Sequence, residues 1–485
     1  MKNVDNMSNV KKHLDIVFQI YYQCGITNRL IVIRDVTCLL FLKSLEDYPD
    51  YYLDNLHFDH ALFRYHENYN WSSVWNMNQD DAKELFFNEI LPFLQNNFKD
   101  FLNGNLILAD GIGRLSSNDF YLVIGKISDM FIYELDGNPI NEFNISIYDD
   151  IYETLLEYLP NAPKSCAYAP KHLRRLLCEL IQIKSTDKVY DTNMGCGSLL
   201  IEAYKSMVVS NLPPYRMDVD DDGLRCARKY SENLETDYFR QTLALEGNEK
   251  DGTLKWLCLM NFYFHRIGLL QSQFNGFVKF NNQRDDMYDK MLCIHPQNGY
   301  YENFTTVQKH LKQGGKAAFV LPQLFLYGDL KKIKRLRKTL LTQYVVEAVI
   351  TLPEYEFYPF TRLASAIIIF SLPEPNNIEE SKVWLCNLKN DGYSNDRKRS
   401  KTSDNPLPIL LDAFRNRSEL DTEWFESKNI PLQDILGNDN SLFVDEYIDN
   451  AKEPEEDVDP FEIIENLVQL RDKLKTGIEE LKLYI

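Results

Sequence analysis

Closely spaced cysteine pairs are missing from this chain of 485 residues. Its nine cysteines are an odd number, are scattered and include no Cys-x-x-Cys, which argues against a disulfide framework or a zinc ribbon and favours a reducing compartment. Long apolar runs are also missing. The longest, residues 364–372, is far too short to span a bilayer, and the N-terminus has no apolar signal segment. We therefore expect a cytoplasmic protein with no membrane anchor.

Basic residues are outnumbered by acidic residues. Lys and Arg number 53 against 72 Asp and Glu, giving a net charge of −19, which argues against non-specific coating of nucleic acid or of an anionic membrane. A summed charge does not exclude a local basic face. Two basic stretches, residues 329–341 and 396–401, are candidates for DNA phosphate contact, although a solvated surface also explains such runs.

Three histidines, His57, His60 and His66, lie close together in the sequence. No carboxylate or cysteine falls at a spacing that completes a metal site with them. Surface or capping histidines are therefore the favoured interpretation over metal ligands.

The pattern of apolar residues divides the chain into four regions. Residues 1–165 show mainly helical spacing, with short strands predicted in 106–115 and 120–125. Residues 166–385 alternate strand-like runs with helical patterns, which predicts an α/β domain with a parallel sheet covered on both faces. Residues 386–452 form a polar extension. Residues 453–485 predict an amphipathic C-terminal helix that packs on its own domain or on a partner's helix.

Six runs in the second region have the composition of strands: KVYDTN, LALEG, DKMLCI, KAAFVLP, VVEAVITLP and SAIIIFSLP. The last two lie close together in the sequence. We expect them to form an antiparallel pair at an edge of the sheet.

A glycine-containing loop follows the first of these strands. The strand ends at Asp191, the loop carries Gly195 and Gly197, and a helix starts near Ser198. Glycines permit unusual backbone dihedrals and close approach of a ligand, and a helix N-terminus presents free N–H groups. The pattern is compatible with an adenosine-type cofactor site and also with a plain strand-to-helix corner.

Glu249 favours the cofactor interpretation. It follows another strand-like run and precedes a helix, where a carboxylate can accept hydrogen bonds from two ribose hydroxyls. Its position, 58 residues after Asp191, is far beyond the roughly 20 residues of dinucleotide-binding dehydrogenases. A simple NAD site is therefore disfavoured.

With these motifs the sequence resembles the modification (M) subunit of type I restriction-modification systems, a family of S-adenosylmethionine-dependent adenine-N6 DNA methyltransferases. The Phe-Tyr-Thr-Pro stretch of the family is matched by residues 167–170, its glycine loop by 191–198, its Gly-Gln-Glu segment by 247–249, and its Met-Asn-x-x-x-His-Gly segment by 260–266. Residues 311–328, 347–361 and 390–399 are similar in order and spacing.

The resemblance implies a Rossmann-like methyltransferase sheet between the helical N-terminal domain and the C-terminal helix, with S-adenosylmethionine as the cofactor. The implied cofactor residues are Tyr168, Pro170, Asp191, Gly195, Gly197, Glu249 and Asn281. Asn281 or its neighbour Asn282 stands where the family has an acidic residue near the adenine ring. The implied partners are double-stranded DNA, a specificity subunit and a nuclease/helicase subunit.

The family's Asn-Pro-Pro-aromatic motif, which holds the flipped adenine, is degraded in this chain. The equivalent stretch, residues 288–304, places Ile294 or His295 at the Asn position, so His295 and Pro296 are the remaining catalytic candidates. Isoleucine accepts no hydrogen bond through its side chain, and histidine differs in reach from an amide. The sequence therefore predicts an M-subunit-like protein whose methyl transfer is doubtful. The alternatives are an inactive DNA-binding scaffold subunit and methylation of another substrate.

Overall fold

The computed structural model describes residues 2–47, 68–98, 109–131, 133–135, 138–140, 146–159, 168–227, 244–265, 267, 287–295, 301–373, 381–448 and 471. The chain divides into two compact units, Met1–Val444 and Asp445–Ile485. Apart from Arg471, the C-terminal helix predicted for 453–485 lies outside the described residues, as do His57, His60 and His66.

Helices dominate the described part of the N-terminal region. They are α1 (Lys2–Gln23), α2 (Arg29–Asp47), α3 (Trp71–Asn76), α4 (Gln79–Leu85), a π-helical turn (Phe86–Ile90), α5 (Leu91–Asn97), α6 (Asp110–Arg114), α7 (Ser117–Asp129) and α8 (Ser146–Leu156). Two short strands, β1 (Tyr133–Leu135) and β2 (Asn138–Ile140), pair antiparallel.

The strands predicted within 106–115 and 120–125 are wrong where the structure describes them. Residues 110–114 belong to α6 and residues 120–125 to α7. The apolar run of α7 buries Phe120, Val123, Ile124 and Ile127, which recur at the helical spacing of three and four. Its start is fixed by Ser116, whose Oγ accepts a hydrogen bond from the Asp119 amide at 3.1 Å.

The remaining elements alternate strands and helices. The strands are β3 (Val189–Asp191), β4 (Met217–Val219), β5 (Arg225–Ala227), β6 (Leu245–Gly247), β7 (Tyr288–Ile294), β8 (Leu311–Pro322), β9 (Val345–Thr351), β10 (Ser365–Ser371), β11 (Lys382–Leu388) and β12 (Phe425–Pro431). The helices are α9 (Lys171–Leu180), α10 (Ser198–Asn211), α11 (Gly252–Phe264), α12 (Tyr301–His310), α13 (Leu324–Tyr327), α14 (Lys331–Gln343), α15 (Leu407–Asn416) and α16 (Leu432–Gly437).

Eight of these strands form one sheet in the order β12-β11-β9-β10-β8-β7-β3-β6. All six predicted strand runs are present in it. Neighbours from β6 to β8 run parallel, whereas β10 is antiparallel to both β8 and β9. Strand β11 runs parallel to β9, and β12 is antiparallel to β11. The strands β3, β6, β7, β8, β9 and β11 therefore end at the same edge of the sheet.

The structure corrects two expectations about this sheet. The pair β9 and β10 is antiparallel as predicted, but it lies inside the sheet because β11 and β12 continue beyond it. The sheet also continues past residue 385, where the composition turns polar. Strand β12 is an edge strand in which Phe425, Ser427 and Ile430 are buried and the other four residues are more exposed, so its sequence looks polar.

Two hydrophobic cores meet at helix α11. The N-terminal helices pack on one face of α11, where the Tyr152 hydroxyl donates to the Leu257 carbonyl at 3.1 Å and the Ser44 and Tyr263 hydroxyls lie 2.8 Å apart. The other face, with Cys258 and Phe262, joins the core of the sheet. In the described part of the chain, no helix combines the length and apolar character needed to cross a membrane.

Candidate functional site

Three neighbouring parallel strands bring the predicted site residues to one edge of the sheet. Asp191 is the last residue of β3, Glu249 follows β6 by two residues, and His295 directly follows β7. Since β3 pairs with both β6 and β7, these three strand ends are adjacent. Ligands of open α/β sheets bind outside the carboxyl ends of the strands, so this edge is the expected place for a cofactor.

The loop after β3 is tied to β7 by Asn193. The Asn193 amide N–H donates to Asp191 Oδ1 at 2.9 Å, and its side-chain Nδ2 donates to the Ile294 carbonyl at 3.2 Å. The Thr192 amide donates to the Leu292 carbonyl at 3.0 Å. Asn193 thus fixes the Asp191 carboxylate and holds the loop against the end of β7.

The same loop is tied to β6 on its other side. The Asn248 amide donates to the Asp191 carbonyl at 2.9 Å, and the Met194 amide donates to the Asn248 carbonyl at 3.1 Å. The Met194 side chain is buried against Gly247, where a Cβ would come within 2.7 Å of its sulfur. Gly247 is therefore required by the packing of the loop on β6.

The two loop glycines have positive φ, +54° at Gly195 and +78° at Gly197. Such dihedrals favour glycine. A Cβ on Gly197 would also lie 2.5 Å from Cys258 Sγ and 2.8 Å from the Phe262 ring. Backbone conformation and close packing on α11 account for Gly197 without a ligand, so the feature that points to a cofactor is the pair of carboxyl groups beside the loop.

Asn261 of α11 contacts the glycine loop after β3 from the protein interior. It is fully buried, and its Nδ2 donates to the Cys196 carbonyl at 2.9 Å and to Ser198 Oγ at 3.1 Å. His265 follows one turn later, with its Nδ1 2.8 Å from the Asn261 carbonyl. Asn261 therefore supports the loop from the protein interior, and His265 contacts the backbone of Asn261.

The carboxyl groups of Asp191 and Glu249 place acidic side chains at two adjacent strand ends. Burial raises the pKa of Asp191 to about 7, and the nearby negative charge of Glu249 adds to the rise. Among the described residues, no Lys or Arg pairs with Asp191. Glu249 Oε1 accepts hydrogen bonds from the Lys250 and Asp251 amides at 2.7 and 2.8 Å, and Asp251 caps α11.

Tyr168 and Pro170 lie at the start of α9. Pro170 is the N-cap residue of that helix. The Tyr168 ring is buried, its hydroxyl donates to Glu153 Oε1 at 2.7 Å, and the Arg174 guanidinium, which also bonds Glu153, lies 5.0 Å from the ring centroid. The Tyr168 hydroxyl is thus engaged with the helical region through α8.

His295 is half-buried, and its backbone N–H extends the pairing of β7 with β8 by donating to the Val320 carbonyl at 2.9 Å. The preceding Ile294 is buried in the core of the sheet. Pro296, Asn281 and Asn282 lie outside the described residues.

The first basic stretch is only partly available for contacts. Arg337 of α14 is 1% exposed, and its guanidinium donates to three backbone carbonyls, those of Phe325, Gly328 and Asn440. Lys334 pairs with Asp329 and Asp439. The exposed basic residues of the helix are Lys331, Lys332, Arg335 and Lys338.

The second basic stretch, residues 396–401, is also partly engaged. Arg399 pairs with Glu356 and Asp391, and Lys401 pairs with Asp222. Arg397 and Lys398 remain exposed.

Asn193 was not among the site residues predicted from the sequence. Its position offered a signal, because an Asn two residues after a strand-terminal Asp can form a turn with the Asp side chain. Its second bond, to Ile294, joins positions 101 residues apart and has no sequence signature.

The sheet, the glycine loop and the paired carboxylates define a Rossmann-like fold of the nucleotide-cofactor class. A model of the N-6 DNA methylase family matches residues 144–276 and 273–456, and the chain belongs to this family.

Known relatives agree with this assignment. The chain is 24% identical over 459 residues to the type I restriction enzyme MjaVIII methylase subunit of Methanocaldococcus jannaschii, covering 86% of this chain and 71% of that protein. The methyltransferase subunit of a type I restriction-modification system from Streptococcus thermophilus has the same fold, with a TM-score of 0.56, 16% identity, and coverage of 93% and 100% of the two chains. A structure from work on the assembly and conformational transition of a type I system matches with a TM-score of 0.60, 18% identity and 97% coverage of both chains.

Proposed function

We propose that this chain is an M-subunit-like protein of a type I restriction-modification or related defence system, which binds S-adenosylmethionine and double-stranded DNA inside the cell. The observation that supports this most directly is the pair of carboxyl groups, Asp191 and Glu249, at adjacent strand ends beside the glycine loop. Membership of the N-6 DNA methylase family gives the pair its chemical context.

The residues at the strand ends fit the proposed cofactor. Asp191 has no cationic partner among the described residues, and a positively charged ligand would relieve its burial beside Glu249. Glu249 uses Oε1 for backbone amides, and among the described residues its Oε2 accepts no hydrogen bond, so it can accept from sugar hydroxyls. Gly195 and Gly197 leave the loop without side chains at two positions. S-adenosylmethionine, when bound, supplies an electrophilic methyl group on a sulfonium.

The chain's own residues would hold the cofactor and place the target base. Asp191 and Glu249 bind, and Asn193 keeps the Asp191 carboxylate oriented by its 2.9 Å hydrogen bond. Tyr168, Pro170 and Asn281 complete the cofactor set that family resemblance implies. The segment that begins with His295 and Pro296 stands where the family holds the flipped base.

We further propose that methyl transfer is slow or absent. The Asn and Pro carbonyl of the family motif accept the two amino hydrogens of adenine, and Ile294, an aliphatic residue buried in the sheet core, cannot replace that Asn. Loss of one preorganised group of this kind typically costs about 10² to 10³ in rate. An imidazole at His295 offers one ring nitrogen.

The N-terminus of α14 is the proposed DNA-contacting surface. The Lys332 ammonium lies 3.8 Å from the ring centroid of Tyr301, the first residue of α12. Lys332 therefore lies beside the first residue of α12, the helix that follows the proposed base-holding segment in the sequence. The charge of the exposed basic residues of α14 suits the phosphates of a duplex in a chain that is acidic overall.

Partner subunits follow from the relatives. Several are methylase subunits of type I restriction enzymes. We propose that this chain likewise associates with a specificity subunit, through residues 453–485, and with a nuclease/helicase subunit in the complete assembly.

A second candidate function is a catalytically silent subunit that binds DNA and holds its partners together. The burial of Ile294 favours it, because an aliphatic residue at that place packs the sheet and leaves no acceptor for an adenine amino group.

Tritium transfer from labelled S-adenosylmethionine to duplex DNA, measured with all partner subunits present, tests the two functions. Slow but measurable transfer by the native chain excludes the silent subunit, and the absence of transfer favours it. The variant Ile294→Asn/His295→Pro/Gln297→Tyr restores the motif, and we expect it to methylate at least ~10²-fold faster than the native chain. Gln343→Ala, at an exposed position of α14, is the matched control. Rapid methylation by the native chain would contradict both the slow-transfer proposal and the silent-subunit alternative.

A further inference from the structure

Four charged side chains meet in the protein interior near the proposed cofactor edge. His172 Nε2 lies 3.1 Å from Asp391 Oδ2 and 3.1 Å from Glu356 Oε1. Arg399 Nη2 bonds both carboxylates. His172, Glu356 and Asp391 are each at most 4% exposed. Taking such groups out of water is costly, so their retention calls for a physical reason.

We call His172, Arg399, Glu356 and Asp391 the ion quartet. In their ionised forms they carry two positive and two negative charges. Burial opposes the charge of His172, but Glu356 and Asp391 outweigh it and raise the pKa of His172 to about 9. The imidazole is therefore protonated at neutral pH. Burial raises the pKa of Glu356, an effect that His172 opposes and Asp391 reinforces, so His172 and Arg399 are the groups that favour the ionised form of this carboxyl.

The three atoms of His172, Glu356 and Asp391 are also close enough to hold one metal ion. Metal binding would require His172 to lose its proton, and the ion would be placed beside the Arg399 guanidinium, which already bonds both carboxylates. The resulting site would carry an excess positive charge in the interior. A proton on His172 satisfies the cluster without that excess.

The quartet joins three separate segments at the edge where the parallel strands end. His172 is the second residue of α9, two positions after Pro170. Glu356 lies in the loop after β9, and Asp391 and Arg399 lie in the loop after β11. Because β9 and β11 point in the same direction as β3, these loops lie at the same edge of the sheet as Asp191.

Aromatic and polar contacts hold the loop after β11 on the same surface. The Tyr393 ring stacks on His172 with centroids 4.2 Å apart. The Tyr393 hydroxyl donates to Asp222 Oδ1 at 3.1 Å, and Asp222 also pairs with Lys401. The start of α9 is thus covered by this loop.

We propose that His172 is a positioning residue, which fixes the Tyr168–Pro170 segment for cofactor binding by fastening the start of α9 to the loops after β9 and β11. The cofactor part of this inference rests on the proposed function. The fastening itself rests on the ion quartet alone.

Hydrogen exchange measures the fastening without any cofactor. The full chain is compared with His172→Gln, which keeps a side-chain donor but removes the charge, and with His172→Lys, which keeps the charge. We expect protection of the amides of residues 174–177 to fall ~10-fold in His172→Gln and to recover in His172→Lys. Lys312→Gln, which breaks the 2.9 Å pair with Asp289 where β7 and β8 begin, is the control and should leave these amides unchanged. Unchanged protection in His172→Gln would overturn the proposal.

Calorimetric titration with S-adenosylmethionine tests the positioning role. We expect the Kd to rise ~10-fold in His172→Gln and to stay near the native value in His172→Lys and Lys312→Gln. Equal affinities in all variants would overturn the positioning role and leave the proposed function intact. Absence of cofactor binding by the native chain would overturn the proposed function. The hydrogen-exchange result would still test whether His172 fastens the start of α9 to the two loops. If the native chain retains one zinc ion per chain and His172→Gln retains none, the quartet binds a metal ion and its metal-free interpretation is overturned.

Discussion

Asn261 Nδ2 donates a hydrogen bond to the Cys196 carbonyl at 2.9 Å, which joins the middle of α11 to the glycine loop 65 residues earlier in the chain. Asn261 is fully buried, and the loop residue it holds is 3% exposed. Because α11 also packs on the N-terminal helices, the shape of the loop depends on both hydrophobic cores. Buried residues of α11 thus help to fix the conformation of the loop at the proposed cofactor edge.

Replacement of Asn261 tests this dependence. Asn261→Ala removes the donor to Cys196 and leaves a buried carbonyl without its partner, so the free energy of unfolding should fall by about 1–3 kcal/mol in urea titration. Gln343→Ala, at an exposed position of α14, should change it by less than about 0.5 kcal/mol. Equal stability of the two variants would show that the bond does not support the loop.

Asp35 should make the folded state less stable as pH rises. Burial raises its pKa from 3.8 to about 7, with Tyr21 and the backbone amides at the start of α6 opposing the rise. The folded state then binds more protons than the unfolded state between these values, so the contribution of Asp35 is present below pH 4 and lost as pH passes 7.

Urea titrations at pH 5 and pH 8 measure this contribution. Asp35→Asn should lose less stability between the two values than the native chain, by at most about 3 kcal/mol. Asp80→Asn, on an exposed residue of α4, should follow the native chain. A parallel pH dependence for Asp35→Asn would contradict the raised pKa.

The fold was predictable where burial on both faces leaves a clear record in the sequence. Strands such as β10, which is buried along almost its whole length, appear as uninterrupted apolar runs. Strand β12 was missed because only three of its seven residues are buried, at irregular spacing, and its neighbours in the sequence are polar. The short apolar run in α7 fits a strand as well as a helix until its packing partners are known.

The candidate site was predictable in its local parts. The loop after β3 and the carboxylate after β6 each follow from position relative to a strand. The hydrogen bond of Asn261 and the quartet around His172 were not predictable, because they join segments 65 and more than 180 residues apart. Whether a charged residue of a basic run is exposed was equally hidden, since it depends on what covers the helix.

Exposed and paired basic residues of α14 should differ in DNA binding. Lys332→Ala and Arg335→Ala should each weaken duplex binding at low salt and reduce the slope of log K against log salt by about 1, because each removes one phosphate contact. Lys334→Ala, whose ammonium already pairs with Asp329 and Asp439, should have a smaller effect. Fluorescence anisotropy over a salt series measures the slopes. Equal slopes for all three variants would place the DNA elsewhere.

Arg337 should matter for stability although it belongs to the same basic run. Arg337→Ala leaves the buried carbonyls of Phe325 and Gly328 without donors, and we expect a loss of roughly 3 kcal/mol in the free energy of unfolding. Arg335→Ala is the matched control on an exposed face and should be near neutral. A stable Arg337→Ala variant would mean that other donors replace the guanidinium.

Calorimetric titration of the native chain and of Glu249→Gln with S-adenosylmethionine is the most direct test of the proposed cofactor edge. We expect saturable binding by the native chain with one cofactor per chain, and a Kd at least ~10-fold higher for Glu249→Gln, in which the acceptor for sugar hydroxyls is weakened. A native chain that releases no heat of binding, or a Glu249→Gln variant that binds as tightly as the native chain, would contradict it.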